Sequence, residues 1–437
     1  MKRCTIKLLL LLVVCSLCLG TLAGCSGKHG KTLLSLEDTT LSVNIYQLLL
    51  TRMKGTLAKH QYQVDSDAFW ATVVDKNGST YNDYFRLTIL ENAKTYVVGA
   101  YLFDHVYGLT LSDDAIAAID AELAEFVEYD GDGSKTAFNQ VLAAYGVNYD
   151  ILRDAYIVEA KIAALKQHLY GADASQIAPA VQEEYYQEHY VRFKQIFLAS
   201  YYYEVEKDEN GDDIYFTQNS LGNQIICYDT ENGTTKTDAF GNVIKDKYGY
   251  EVYYKADGKI AYDQENGTTA YVFDKEGQPI VIDYSKEELA RIEKEAKQAK
   301  EKIPDGEFAA FELLMESRGE DEDAQAYENG YFLYNDPDNY ANYPYLEDIV
   351  KELDKMEVGQ TAIVTSEYGY HVIMKYPLPE GAYADKANSD WFDGFEEGLI
   401  DTMFMTLCQP YMDKVEVDSD VLATVPHMKE LGTNFYY

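Results

Sequence analysis

The sequence predicts an α+β protein. A helical N-terminal module, completed by helices from the C-terminus, accompanies a smaller α/β domain that carries a β-rich insert. Three observations predict it. From Leu41 to about Tyr190, apolar residues recur at helical spacing. From Ser200 to Tyr284, turn pairs such as Asn210-Gly211, Asn232-Gly233, Asp257-Gly258, Asn266-Gly267 and Glu276-Gly277 separate short aromatic runs, the signature of hairpins. Near the end, Tyr370, Val372 and Met374 alternate with His371, Ile373 and Lys375, the period-two pattern of a strand, and Gly369 ahead of them permits a bend that a β-carbon would resist. A chain of 437 residues is too long for one ordinary core and divides into two or three domains.

The chain opens with Lys2, Arg3 and Lys7 ahead of an apolar run from Leu8 to Leu19, a secretory leader too short for a comfortable membrane span. Leu22-Ala23-Gly24-Cys25 follows and looks like a bacterial lipobox. That likeness implies a signal peptide over residues 1–24 and lipidation of Cys25. Residues 25–32 then form a tether holding the domains on the outer face of the cell membrane. Cys4, Cys15 and Cys18 leave with the leader, so Cys227 and Cys408 remain, too far apart in sequence for a disulfide framework or a zinc site. The net charge of −37 favours solubility and argues against nucleic acid as a partner, since a phosphate backbone is repelled.

Along the mature chain, Ser42 caps a helix carrying Ile45, Leu48, Leu49 and Met53 on one stripe, and Tyr84 to Tyr107 repeats the pattern. Ser112, with Asp113 and Asp114 in the favourable first turn, starts a helix that Gly131-Asp132-Gly133 breaks. Phe138–Tyr145 and Asp150–Leu169 follow, and Pro179 opens Val181–His189. Val191 to Leu198 reads as a strand. In the insert, Tyr228-Asp229-Thr230-Glu231-Asn232-Gly233-Thr234-Thr235 recurs as Tyr262-Asp263-Gln264-Glu265-Asn266-Gly267-Thr268-Thr269. Its tyrosines either bind peptide or glycan, or hold together a sheet with little core. Ser285 and Glu288 form a capping box for a helix ending at Pro304-Asp305-Gly306, and Glu307–Met315 forms another. Trp391–Tyr411 is helical and Val415–Val417 a short strand.

Val358-Gly359 and the run Glu367-Tyr368-Gly369-Tyr370-His371-Val372-Ile373 resemble the end of a parvulin-type peptidyl-prolyl isomerase domain, whose strand supplies one of two histidines under the sheet. Residues 191–199 and 285–378 then make up a parvulin-like domain, with 200–284 inserted after its first strand. The module 33–190, with 385–437, resembles the chaperone module of extracytoplasmic foldases of the PrsA and SurA types. The resemblance implies that His371 and Gln195 lie on neighbouring strands beneath the substrate amide. Gln195 occupies the family's other histidine position. Asp321, within Ser317-Arg318-Gly319-Glu320-Asp321, is the candidate acid. Leu346, Asn342 and Phe332 are the candidate substrate-binding residues, Leu346 at the place of a pocket phenylalanine and Asn342 at that of a pocket methionine.

Twisting a peptide bond costs about 18–20 kcal/mol, and a protein lowers that barrier by gripping the proline ring and favouring the twisted amide. No nucleophile, metal or cofactor is needed. Gln195 can hydrogen-bond as histidine does but cannot change charge. No Gly-rich phosphate loop, Cys/His ligand spacing or nucleophile elbow occurs in the sequence. The implied partners are unfolded or partly folded secreted proteins with X-Pro bonds. The implied function is that of a membrane-anchored foldase with isomerase activity. A non-catalytic holdase of the same fold, or a wall-binding lipoprotein working through the insert, are the alternatives.

Overall fold

A computed structural model describes residues 29–340 and 342–437; the leader and Cys25 lie outside the described residues. The chain is α+β and divides into two compact units, one formed by the residues up to Gln182 together with Gly394–Tyr437, the other by Glu183–Asp393.

The first unit begins with a hairpin, β1 (Thr32–Leu36) and β2 (Thr39–Ser42), joined by Glu37 at a positive φ of 54°. The strand Glu416–Val417 pairs antiparallel with β1. The sequence reading carried the tether through residue 32 and found no strand here. Leu33 and Leu34 are consecutive and both buried, so the run lacks the alternation that announces a half-buried strand. Helices α1 (Val43–Lys59), α2 (Asp67–Trp70), α3 (Tyr81–Tyr101), α4 (Asp113–Asp130), α5 (Lys135–Leu142) and α6 (Tyr149–Tyr170) follow. Each starts where a polar side chain takes a first-turn N–H: Ser42, Ser66, Thr80, Ser112, Ser134 and Asn148. The returning helix Phe395–Met412 buries Leu399, Phe404 and Cys408. It starts four residues later than Trp391, because Gly394 at φ 79° separates it from a 3-10 turn over Lys386–Trp391. Lys54, almost fully buried, donates to the carbonyls of Lys429 and Leu431 and so fixes the C-terminal segment.

In the second unit, α7 (Pro179–His189) leads into β3 (Tyr190–Ala199), the long strand of a four-stranded antiparallel sheet. The other strands are supplied after the insert. Within it, β4 (Tyr201–Tyr203), β5 (Tyr215–Gln218), β6 (Gln224–Ile226), β7 (Thr234–Thr235), β8 (Tyr253–Tyr254), β9 (Thr268–Thr269) and β10 (Val281–Asp283) are two to four residues long. β4 pairs with β10 to close its neck. Then come α8 (Lys286–Lys302), α9 (Phe308–Arg318), β11 (Tyr331–Tyr334), α10 (Pro344–Lys355), β12 (Thr361–Ser366) and β13 (Gly369–Tyr376). The sheet order is β11-β3-β13-β12.

Strand β13 pairs with β3 from Gly369 opposite Ala199 to Tyr376 opposite Arg192, so segments almost 180 residues apart lie side by side. Gly369 is required at the crossing: its φ is 147°, and a β-carbon there would stand 2.1 Å from the Leu198 carbonyl oxygen. Alternation gives the sheet two faces. One carries Val191, Phe193, Leu333 and Ile373 against α10. The other carries Ile196, Leu198, Val372 and Met374 against α8 and α9. At the start of α8, Ser285 accepts from the Glu288 N–H, while the Glu288 carboxylate takes Arg291 at 3.0 Å, so the expected capping box is made on one side only.

The insert is held by its turns. Asp208, Asn219, Asp238, Asp246 and Asp274 each accept two backbone N–H bonds through one side-chain oxygen, with a positive-φ glycine three residues on. The Asn-Gly pairs at 232–233 and 266–267 are not two-residue hairpin turns. Asp229 and Asp263 draw the chain into a tighter coil, each accepting from the backbone N–H groups two and three residues on. The repeat noted in the sequence is a structural one: Tyr228 and Tyr262 form an antiparallel bridge with their rings stacked 6.2 Å apart.

Candidate functional site

Register fixes the site. On β3 the residues Phe193, Gln195 and Phe197 share one face, and on β13 His371 and Ile373 share it, with His371 opposite Phe197 and Ile373 opposite Gln195. The diagonal brings the Gln195 side chain to His371: Nδ1 and Oε1 are 2.9 Å apart. The Gln195 Nε2 donates to Asp321 Oδ2 at 2.8 Å, and the Tyr331 hydroxyl donates to the same oxygen at 2.5 Å. At the other end His371 Nε2 lies 2.8 Å from Ser366 Oγ, which also accepts from the Tyr368 N–H.

The directions of these bonds follow from one constraint. An ionised carboxylate accepts only, so Gln195 turns its amide nitrogen to Asp321 and its oxygen to His371. His371 therefore carries its proton on Nδ1 and offers Nε2 as acceptor, and the Ser366 hydroxyl donates to it. Phe197 stacks on the imidazole at 4.9 Å, and the Tyr345 ring lies nearly parallel to it at 6.0 Å. With 4% exposure, burial pushes the His371 pKa down to about 4, only partly opposed by the Asp321 charge. The ring is neutral at physiological pH. The Tyr331 hydroxyl is pushed well above its ordinary range, by burial first and by its bond to Asp321 second, and stays protonated.

His371, Gln195 and Asp321 are thus joined in one chain. Asp321 also caps a short turn by accepting from Asp323 N. Leu346 is half-buried against the core on the His371 side of the sheet, beside Tyr345. Asn342 is exposed. Phe332 is a correction: it is buried on the opposite face, its ring against Phe392 and under Arg192. One residue on a strand reverses the face, and its neighbour Tyr331, opposite Phe193, reaches the site instead.

Sequence reasoning missed Ser366, Tyr331 and Tyr345. Ser366 was visible as the residue ending a strand three residues before the Gly369 that starts the next, and Tyr331 through the two-residue period of its own strand. Tyr345 had no such signal, since only the packing of α10 on the sheet brings it to the imidazole. Among the described residues no group of three or more His, Cys, Asp or Glu side chains is gathered to hold a metal ion. What the arrangement supplies is a directional, part-buried line of hydrogen bonds under an aromatic rim of Tyr345 and Tyr368, whose rings meet edge to face at 5.5 Å.

No family description and no curated protein matches the chain. Among solved structures it is similar to that of PrsA from Bacillus subtilis, at 15% identity, covering 83% of this chain and 94% of that one with a TM-score of 0.19. It is also similar to the foldase protein PrsA from Streptococcus pneumoniae str. Canada MDR_19A, at 11% identity, covering 91% and 98% with a TM-score of 0.20. Likeness this loose leaves the fold to stand on its own strand pairing and register.

Proposed function

We propose that this chain is an extracytoplasmic foldase, tethered to the outer face of the cell membrane through a lipid on Cys25, that binds unfolded secreted proteins and isomerises their X-Pro bonds. The observation that supports it is the Ser366–His371–Gln195–Asp321–Tyr331 chain on one face of the four-stranded antiparallel sheet. A twisted prolyl amide has lost its resonance, and an apolar rim with fixed dipoles beneath favours it over the planar form. Tyr345, Tyr368 and Leu346 form the rim that would receive the proline ring. His371 and Gln195 are positioning residues: they hold the Ser366 hydroxyl in a single direction. Because Gln195 cannot take up a proton, the line keeps its polarity until His371 itself is protonated.

A protease-coupled assay with a prolyl peptide tests this. His371→Ala, which removes both central hydrogen bonds, is expected to lower kcat/KM about tenfold or more, the usual size for losing such a bond beneath a reacting amide. Unchanged activity in that variant would remove the site assignment. A Cys25→Ser variant is expected to leave the membrane fraction.

A second reading is favoured by the buried imidazole, with the Phe197 and Tyr345 rings both stacked against it: a holdase of the same fold. It expects suppression of client aggregation without any isomerase signal, so an aggregation assay run beside the prolyl-peptide assay separates the readings.

A further inference from the structure

The face of the sheet away from His371 carries a second feature. Between α8 and α9 lies a groove of about 300 Å³. Its floor is apolar, made by Ile196 and Leu198 of β3 with Ala299 and Leu314 of the two helices. Its rim is cationic: Arg291, Lys294 and Lys302 from α8 and Arg318 from the last turn of α9, with Glu295 the carboxylate among them. Such a rim stands out on a chain whose net charge is −37.

The rim charges are not equally engaged. Arg291 is shared by Glu288 and Glu295, and Arg318 meets Glu295 at 2.8 Å. Lys294 and Lys302 have no carboxylate within ion-pair distance among the described residues. They stand on the helix face turned to the groove, eight residues apart, which is about 12 Å along a helix axis at ~1.5 Å per residue. An extended peptide rises about 3.3 Å per residue, so 12 Å matches side chains four residues apart, and residues i, i+2 and i+4 share one face.

We infer that this groove binds an extended acidic peptide segment of the pattern acid–x–aliphatic–x–acid. The two carboxylates meet Lys294 and Lys302, and the central aliphatic side chain enters the floor between α8 and α9. Charge complementarity selects the acids, and the apolar floor distinguishes a peptide from a plain polyanion. The groove lies on the other face of the sheet from His371, so this binding stands or falls separately from isomerase activity.

The test is fluorescence anisotropy with the purified protein and a labelled, end-blocked Glu-Ser-Leu-Ser-Glu peptide. Binding is expected to weaken as salt rises, because exposed charges are screened. It is expected to fall roughly tenfold in Lys294→Gln/Lys302→Gln, at about 0.7 kcal/mol for each exposed pair, and to be unchanged in Lys300→Gln on the outer side of α8. Replacing the leucine by serine, or both glutamates by glutamine, is expected to abolish it. Equal binding of the glutamine peptide, or no effect of the double variant, would overturn the inference. Full displacement by polyphosphate together with indifference to the leucine would also overturn it, leaving a general anion collector.

Discussion

Two β-regions of one compact unit are built on opposite principles. The four-stranded sheet has strands of up to ten residues and a buried cluster on each face, and it tolerates one polar line at its centre because every member is paired. The insert has strands of two to four residues and buries few side chains, among them Phe216, Val252 and Tyr262. Its order comes from aspartates, and Asn219 in one turn, that accept the amides of their turns. The first region is held by what it removes from water, the second by what it hydrogen-bonds at its edges, and their responses to mutation and to acid should differ accordingly.

The sharpest way to break this contrast is a cavity. Ile373→Ala, at a fully buried position of β13, is expected to cost about 2–5 kcal/mol in denaturant unfolding; a loss under about 1 kcal/mol would mean the sheet is not held by its core.

Acid comes next. His371 titrates near 4 when folded and at its ordinary 6.5 when unfolded. The unfolded chain therefore takes up this proton first. The stabilising contribution of the neutral ring is complete above pH 6.5, declines as pH falls toward 4, and is worth on the order of 3 kcal/mol at its ceiling. His371→Gln should flatten the fall across that window, as read by thermal unfolding at each pH. The turn aspartates of the insert behave otherwise. Hydrogen bonds from backbone amides and from neighbouring side chains hold Asp229, Asp238 and Asp263 below the usual 3.8, so their contribution persists through the histidine window and is lost only below it. Tyrosine fluorescence of the insert should hold steady while the sheet weakens.

A smaller effect separates the regions again: Asp238→Ala is expected to speed amide exchange in its own turn, where two N–H groups lose their acceptor, and to leave the sheet untouched. Smallest of all, Phe240→Ser at the tip of that turn, where Phe240 is 90% exposed, should stay within about 0.5 kcal/mol of the parent.

The same contrast explains what the sequence made legible. Period-two alternation around His371 and the helical stripes located most elements and the strand pair of the site, because burial on a face imprints a period. Where a segment is buried on both sides, as at Leu33 and Leu34, that imprint vanishes and β1 went unread. In the insert the Gly positions announced turns, but the geometry at Asn232-Gly233 follows from Asp229, which a dipeptide rule does not weigh. In the site, His371, Gln195 and Asp321 came from likeness to a family motif. Phe332 was taken in place of Tyr331 by a single step of register, and Tyr345 depended on how α10 packs.

The most direct measurement is nitrogen NMR of the histidine-labelled protein, with His371 assigned by comparison with His371→Gln, while a prolyl peptide is added. The account expects a neutral ring protonated on Nδ1 down to about pH 4, and resonances that move with the prolyl peptide but not with its alanine counterpart. A ring that titrates near its ordinary pH, or that ignores the peptide, would contradict it.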